Sequence, residues 1–554
     1  MLDHNTTKSY LNWFVPTNLK LINKTASHLI FFNNLSMKRF VFLIAMIGLS
    51  YSCSNHHPIT TQVQVEQGII NGTIVEDVLT FKGIPYAEAP INELRWRAPK
   101  PKTPWQGTLD CTKFGPSPMQ TPPQAFFMWS EEFLIPAAPI SEDCLYLNVW
   151  TTAKTTDDKK AVMVWINGGG FTSGSGSVPI YDGSELAKKD VVYVSINYRE
   201  GVFGFLAHPE LTAESPNNTS GNYGLLDQIA ALKWVKANIE NFGGDPNNIT
   251  IAGQSAGSMS VSYLIASPLA KGLFQKAIPQ SGAGILPLAP TSSSAFANTL
   301  STAEKNGLAI AKQFEVSSLK ELRTLPAEKL LTASVRLAPN IDGYVMPKSP
   351  AELFKAGENN PVALLTGWNE NEGLAYGPPP TRDSFKESLK SNYGALSDDM
   401  IRLYPSSSEE ELKTSVADLA RDQLFGSQNY TLAQIMASQN QPVYVYRFTR
   451  DVPAEGAYIG FKAFHTAEVP YALATLDKVN RPWKESDRQL SEQMSTYWTN
   501  FAKTGNPNGE HLPNWKSFDS KNHQVMYLDE KSNSKALHDA KRLQFFYENL
   551  YLNQ

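Results

Sequence analysis

The chain has 554 residues, a formal net charge of −4 and an apolar content of 42%. A slightly acidic balance argues against the basic surface that nucleic acids and other polyanions demand. No apolar run reaches the roughly 20 residues that a membrane-spanning helix needs, and no repeat, heptad or long low-complexity tract divides the chain.

In chain order, the first readable element is MKRFVFLIAMIGLSYSC, Met37–Cys53. Two basic residues, then an apolar run, then a cysteine form the layout of an export signal. Leu49 and Ser50 put Cys53 where a bacterial lipoprotein signal carries its lipid. The expected organisation follows. Residues 1–36 are an extension upstream of the true start, 37–53 are the signal peptide, and 54–554 are one domain. That domain is expected in the periplasm or outside the cell, attached to a membrane through lipid on Cys53. The only other cysteines are Cys111 and Cys144. In an exported chain two cysteines read better as a disulfide than as two buried free thiols.

The run AVMVWI, ending at Ile166, reads as a buried strand, and Asn167-Gly168-Gly169-Gly170 follows it. Glycines after a strand let backbone amides approach something negative: a phosphate, a dinucleotide or a short-lived oxyanion. The stretch fits neither G-x-G-x-x-G nor a loop ending in G-K-S/T.

A second strand-to-turn signal settles the choice. NITIA, Asn248–Ala252, reads as a strand, Gly253-Gln254-Ser255-Ala256-Gly257 as a sharp turn, and SMSVSYLIAS as a helix. Strand, G-x-S-x-G, helix projects the Ser255 hydroxyl off the end of a sheet as a nucleophile, with the Ala256 amide beside it. Such a serine needs an oxyanion hole, so Gly169 and Gly170 are expected to donate the other amides to it.

The serine also needs a base, and the base an orienting carboxylate, in the order Ser, Asp/Glu, His. PVALLTG reads as a strand with Glu370 and Glu372 just beyond it, and spacing does not choose between them. Of the histidines well past Ser255, His465 lies in an apolar, aromatic setting, whereas His511, His523 and His538 lie in polar stretches. His465 is therefore the expected base.

Taken together, the chain from about Gln62 onward resembles the type-B carboxylesterases, the family of cholinesterases and bacterial p-nitrobenzyl esterases. FGGDPNNITIAGQSAG and SEDCLYLNVW fit the two family signatures, and FKGIPYAEAP, LRWRAPKP, GNYGLLDQIAALKWV and WTNFAKTGNPN fit its landmarks. The resemblance implies an α/β-hydrolase fold: a central, mostly parallel sheet flanked by helices, with large loop and helical insertions. It implies hydrolysis of small carboxylic esters through an acyl-serine intermediate, with no metal or organic cofactor. It also sharpens the acid. GWNENEG matches the family pattern at Glu372, and His465 matches in its F-H-x-x-E-x-P context. The resemblance further implies a Cys111–Cys144 disulfide, the ion pairs Arg95–Glu142 and Arg199–Asp227, and a supporting Ser281.

Two residues depart from the family. Asn167 stands where His or Tyr is usual before the glycines, and Glu200 in NYREG stands where an apolar residue is usual. Phe126, Phe127 and Trp129 lie between the cysteines but do not match a choline-binding tryptophan. The family also contains binding proteins that have lost the catalytic serine or histidine; this chain keeps Ser255, Glu372 and His465. The same machinery would also act on a thioester, an amide or an acyl group of a polysaccharide.

Overall fold

The structure is a computed structural model that describes residues 57–290, 298–373 and 379–553. The upstream extension, the signal segment and Cys53 lie outside the described residues.

Eleven strands form one sheet. They are β1 (Thr73–Val75), β2 (Val78–Pro85), β3 (Tyr146–Thr151), β4 (Lys160–Ile166), β5 (Val191–Ile196), β6 (Gly244–Gln254), β7 (Lys276–Gln280), β8 (Ala363–Asn369), β9 (Val443–Phe448), β10 (Gln524–Leu528) and β11 (Asn533–Ala536). Their spatial order is β11-β10-β9-β8-β7-β6-β4-β5-β3-β2-β1. From β10 to β5 neighbouring strands run parallel, and antiparallel strands close both edges.

The interior strands are apolar on both faces because both faces are covered, which is why AVMVWI reads as an unbroken run rather than an alternation. Val162, Val164 and Ile166 of β4 enter one core, with residues of α1 (Pro209–Glu214), α2 (Tyr223–Asn238) and α3 (Ala256–Ala266). Met163 and Trp165 enter the other, with Val469 and Tyr471 of α4 (Val469–Ala472) and Leu490, Met494, Trp498 and Phe501 of α5 (Glu485–Thr504). The result is a sheet sandwiched between helical layers.

Strand order reverses at β4, whose neighbours are β5 on one side and β6 on the other. Open parallel sheets bind ligands beyond the carboxyl ends of their strands at such a switch point. The glycine run leaves the end of β4, and the G-x-S-x-G turn leaves the end of β6. The two are in register, Ile166 opposite Gly253.

The disulfide expectation is corrected. Cys111 and Cys144 are both free and buried. Cys111 follows a strand of a separate small sheet (Gln62–Val65, Gly68–Asn71, Thr108–Asp110), whereas Cys144 precedes β3. Burial pushes the Cys111 thiol up to about 12 and Cys144 well above its ordinary range. Both are thus held as thiols, and the thiolate is the form that exchanges. The two ion pairs are present. Arg95 Nε donates to Glu142 at 2.7 Å, and Arg199 Nε and Nη2 donate to Asp227 at 2.7 Å each.

Candidate active site

Ser255 takes up φ 60°, ψ −122° between β6 and α3. This is a strained conformation for a residue with a Cβ. It is held because Ser255 N–H donates to Gln280 O at 2.9 Å and Met259 N–H returns to Ser255 O at 2.9 Å. The flanking glycines leave room for the turn. A Cβ on Gly257 would lie 2.1 Å from Ile166 O, and one on Gly253 would lie 2.7 Å from both Ile166 O and Gly257 O. These contacts are with backbone, so no side-chain rotation could relieve them.

The glycine run closes on the serine. A Cβ on Gly168 would stand 2.5 Å from Gln254 O and 3.2 Å from Ser255 Cβ. Gly169 and Gly170 have φ +114° and +64°. Gly169 O accepts from Thr172 N–H and Ser173 N–H at 3.1 Å each, which folds the loop back on itself. The amides of Gly169 and Gly170 donate to no other group among the described residues.

Glu372 and His465 meet directly. Glu372 follows β8 and is fully buried; its Oε2 lies 2.9 Å from His465 Nδ1, while its Oε1 accepts from Asn369 N–H at 2.8 Å. His465 stacks on Phe425 at 4.3 Å between ring centroids, with Trp129 edge-on at 6.4 Å. Trp129, half-buried, also donates from Nε1 to Thr466 Oγ1 at 3.1 Å, so it walls the site. Gln254, next to the serine, brings its side-chain amide within 3.3 Å of the imidazole nitrogens. A direct Ser255–His465 hydrogen bond does not occur among the described residues.

The rival carboxylate is engaged elsewhere. Burial would raise the Glu370 carboxyl, but Arg447 and Arg421 outweigh it and hold it below the usual range. Arg447 Nε donates to Glu370 Oε2 at 2.8 Å. Ser281 also sits at positive φ (57°) beyond β7, its hydroxyl buried and without a hydrogen-bond partner among the described residues.

Glu468 is a further buried carboxylate of the site that the sequence pattern does not mark as such. It is fully buried and accepts from Asn369 Nδ2 at 2.6 Å and Gln280 Nε2 at 3.1 Å. Burial and the neighbouring Glu372 push its carboxyl up to about 7. The signal was the Glu of F-H-x-x-E-x-P, legible as a pattern but not as a neighbour of the acid.

A strained serine turn and a glycine loop at the switch point of a parallel sheet, with a buried carboxylate–imidazole pair nearby, define an ester hydrolase on the α/β-hydrolase fold. Residues 59–546 match the Carboxylesterase family, and the chain belongs to that family. It is 37% identical over 474 residues to the fumonisin B1 esterase of Sphingopyxis macrogoltabida, covering 82% of this chain and 84% of that protein. It is 36% identical over 500 residues to the para-nitrobenzyl esterase of Bacillus subtilis (strain 168), covering 86% and 95%. A solved para-nitrobenzyl esterase superposes with a TM-score of 0.75 at 34% identity, over 87% of this chain and 99% of that one. The Geobacillus stearothermophilus carboxylesterase Est55 gives 0.75 at 33%, over 88% and 100%. The chain is a carboxylic ester hydrolase.

Proposed function

We propose that this esterase works through Ser255, His465 and Glu372, with Gly169, Gly170 and Ala256 as the oxyanion hole. Ser255 Oγ attacks the ester carbonyl as His465 takes its proton. Glu372 fixes the imidazole tautomer and stabilises the imidazolium. The three amides receive the negative oxygen of the tetrahedral intermediate. His465 protonates the departing alcohol, and a water that it deprotonates then releases the acid from the acyl-serine. The reading rests on the 2.9 Å contact between Glu372 Oε2 and His465 Nδ1. With Nδ1 so engaged, Nε2 is the nitrogen that takes the serine proton, once Gln254 Nε2, 3.2 Å from it, gives way to the serine hydroxyl.

The names of the relatives cover chemically different esters, so they support the bond and not one substrate. Hydrolysis of p-nitrophenyl esters from acetyl to dodecanoyl tests the reading. Ser255→Ala is expected to lower kcat by about 10⁶-fold without unfolding the chain, and the chain-length optimum measures the acyl pocket. Turnover retained in Ser255→Ala would overturn the nucleophile.

Export and attachment through lipid on Cys53 belong to the same proposal and rest on the Met37–Cys53 pattern. Mass spectrometry of the mature N-terminus is expected to find a diacylglyceryl-modified Cys53. A native N-terminus without lipid would overturn the anchor.

A further inference from the structure

The two departures from the family pattern lie against each other. Asn167 and Glu200, 33 residues apart in sequence and both buried, are joined by a hydrogen bond from Asn167 Nδ2 to Glu200 Oε1 at 2.8 Å. The same Nδ2 also donates to Gly168 O at 3.1 Å. That carbonyl belongs to the peptide unit that carries the Gly169 N–H. A trans peptide is planar, with its C=O and N–H pointing opposite ways. Whatever holds Gly168 O therefore sets the direction of the Gly169 amide.

The surroundings are built for this contact. A Cβ on Gly174 would lie 2.1 Å from Asn167 Nδ2 and 2.5 Å from Gly168 O, so only glycine leaves room for the amide. Tyr198 Oη donates to Asn167 O at 2.9 Å. Gly201 N–H, next after Glu200, donates to Phe171 O at 2.7 Å and ties the far side of the loop to the same segment.

The pair lacks one hydrogen-bond donor. Two atoms of the pair, Asn167 Oδ1 and Glu200 Oε2, are buried without a hydrogen-bond partner among the described residues. Both are acceptors if the glutamate is ionised, and an unmet buried acceptor is costly. A proton on Oε2 gives the cluster the donor it lacks and allows the reciprocal acid–amide pairing.

We propose that Asn167 and Glu200 form a buried acid–amide anchor that aims the Gly169 amide at the oxyanion, with Glu200 acting in its protonated form. Both are positioning residues, and the assignment rests on the oxyanion-hole reading above. Burial favours this state: it pushes the Glu200 carboxyl up to about 8, against the pull of Asn167 and Tyr198. The titratable and charged groups around it are Tyr198, Tyr181 and Cys144, with the ion pairs Arg199–Asp227 and Arg95–Glu142 along the small cavity that Glu200 lines. Each arginine in this set is matched by its own carboxylate, so no unpaired cation draws the proton off.

The test measures kcat, KM and affinity for an aryl trifluoromethyl ketone, which forms a tetrahedral adduct with the serine, across pH 6–10 (a range chosen to span roughly two units either side of the carboxyl). Asn167→Ala and Glu200→Val are expected to lower kcat about 10- to 100-fold. KM should hardly move, and the ketone should weaken by the same factor. The wild type is expected to lose kcat as pH rises through about 8; Glu200→Gln carries the donor at every pH, so it is expected to rescue kcat at pH 7 and to abolish that fall. Wild-type kcat and ketone affinity in Glu200→Val would overturn the anchor. So would a Glu200→Gln variant whose alkaline limb matches the wild type, and this second arm decides alone if the other variants do not fold. Turnover surviving in Ser255→Ala would instead bring down the underlying site.

Discussion

At the scale of single residues, two carboxylates two positions apart are separated by what surrounds them. Glu372 is fully buried and its Oε2 lies on His465, whereas Glu370 is bound to Arg447 and Arg421. Glu372→Gln leaves the imidazole without the acceptor that sets its tautomer, and kcat is expected to fall roughly 10³- to 10⁴-fold. Glu370→Gln is expected to leave kcat near the wild-type value while lowering stability. Parallel turnover and denaturation curves on the two variants check this, and equal losses of kcat would refute it. The residues alone left this choice open, because GWNENEG offers both carboxylates with the same side-chain chemistry. The family pattern pointed to Glu372, and packing supplies the physical reason. The same limit explains Glu200. Its sequence setting gave it no function, because its partner Asn167 is brought to it only by the fold.

At the scale of elements, the turn from β6 to α3 opposes two preferences. Alanine is worth about 1 kcal/mol over glycine within a helix, so Gly257, second in α3, looks like a weakness in an isolated helix. Its missing Cβ is what allows α3 to lie 2.1 Å, measured from the ideal Cβ position, from Ile166 O. Gly257→Ala is therefore expected to destabilise the protein by about 1–3 kcal/mol and to cut kcat about 100-fold, because β6 and the serine are pushed away from the β4 loop. Chemical denaturation and kcat on the one variant test it; a more stable variant would mean that helix propensity wins. This element was legible in the sequence because its strand, turn and helix signals are local. The same holds for the strand before the glycine run, read from AVMVWI and found as Lys160–Ile166.

At the scale of the whole molecule, a buried ionic cluster joins segments far apart in the chain. Arg447 of β9 and Arg421 hold Glu370, just beyond β8, and Asp539, which precedes the C-terminal helix Ala540–Tyr547. Burial would raise the Asp539 carboxyl, but Arg447 and Arg421 overcome it and hold it well below the ordinary range. A carboxyl depressed in the folded state contributes stability above its unfolded value, and that stability is lost as pH falls through the folded value. For Asp539 and Glu370 this places the loss below about pH 4. Arg447→Met would remove one of the two arginines that both carboxylates share and leave them to Arg421, with Arg542 also on Asp539, so a loss of roughly 1.5–3 kcal/mol at pH 7 is expected. Because the less well matched carboxylates then gain from protonation, the deficit should shrink as pH falls. Urea denaturation at pH 7 and pH 4 measures both effects, and a deficit that grows with acidity would contradict the assignment.

The sequence by itself determined what is local: the strand runs, the two glycine turns, the candidate nucleophile, the candidate base and, through many short matches, the family. Those features depend on backbone conformations and periodicities that neighbouring residues set. The tertiary structure decided what depends on distance between separated segments. It brought Glu372 rather than Glu370 to His465, set Glu468 behind them and joined Asn167 to Glu200. It also left Cys111 and Cys144 as separate buried thiols where the sequence had suggested a disulfide. A cysteine count states that pairing is available; only the packing of two different sheets decides whether the sulfurs meet.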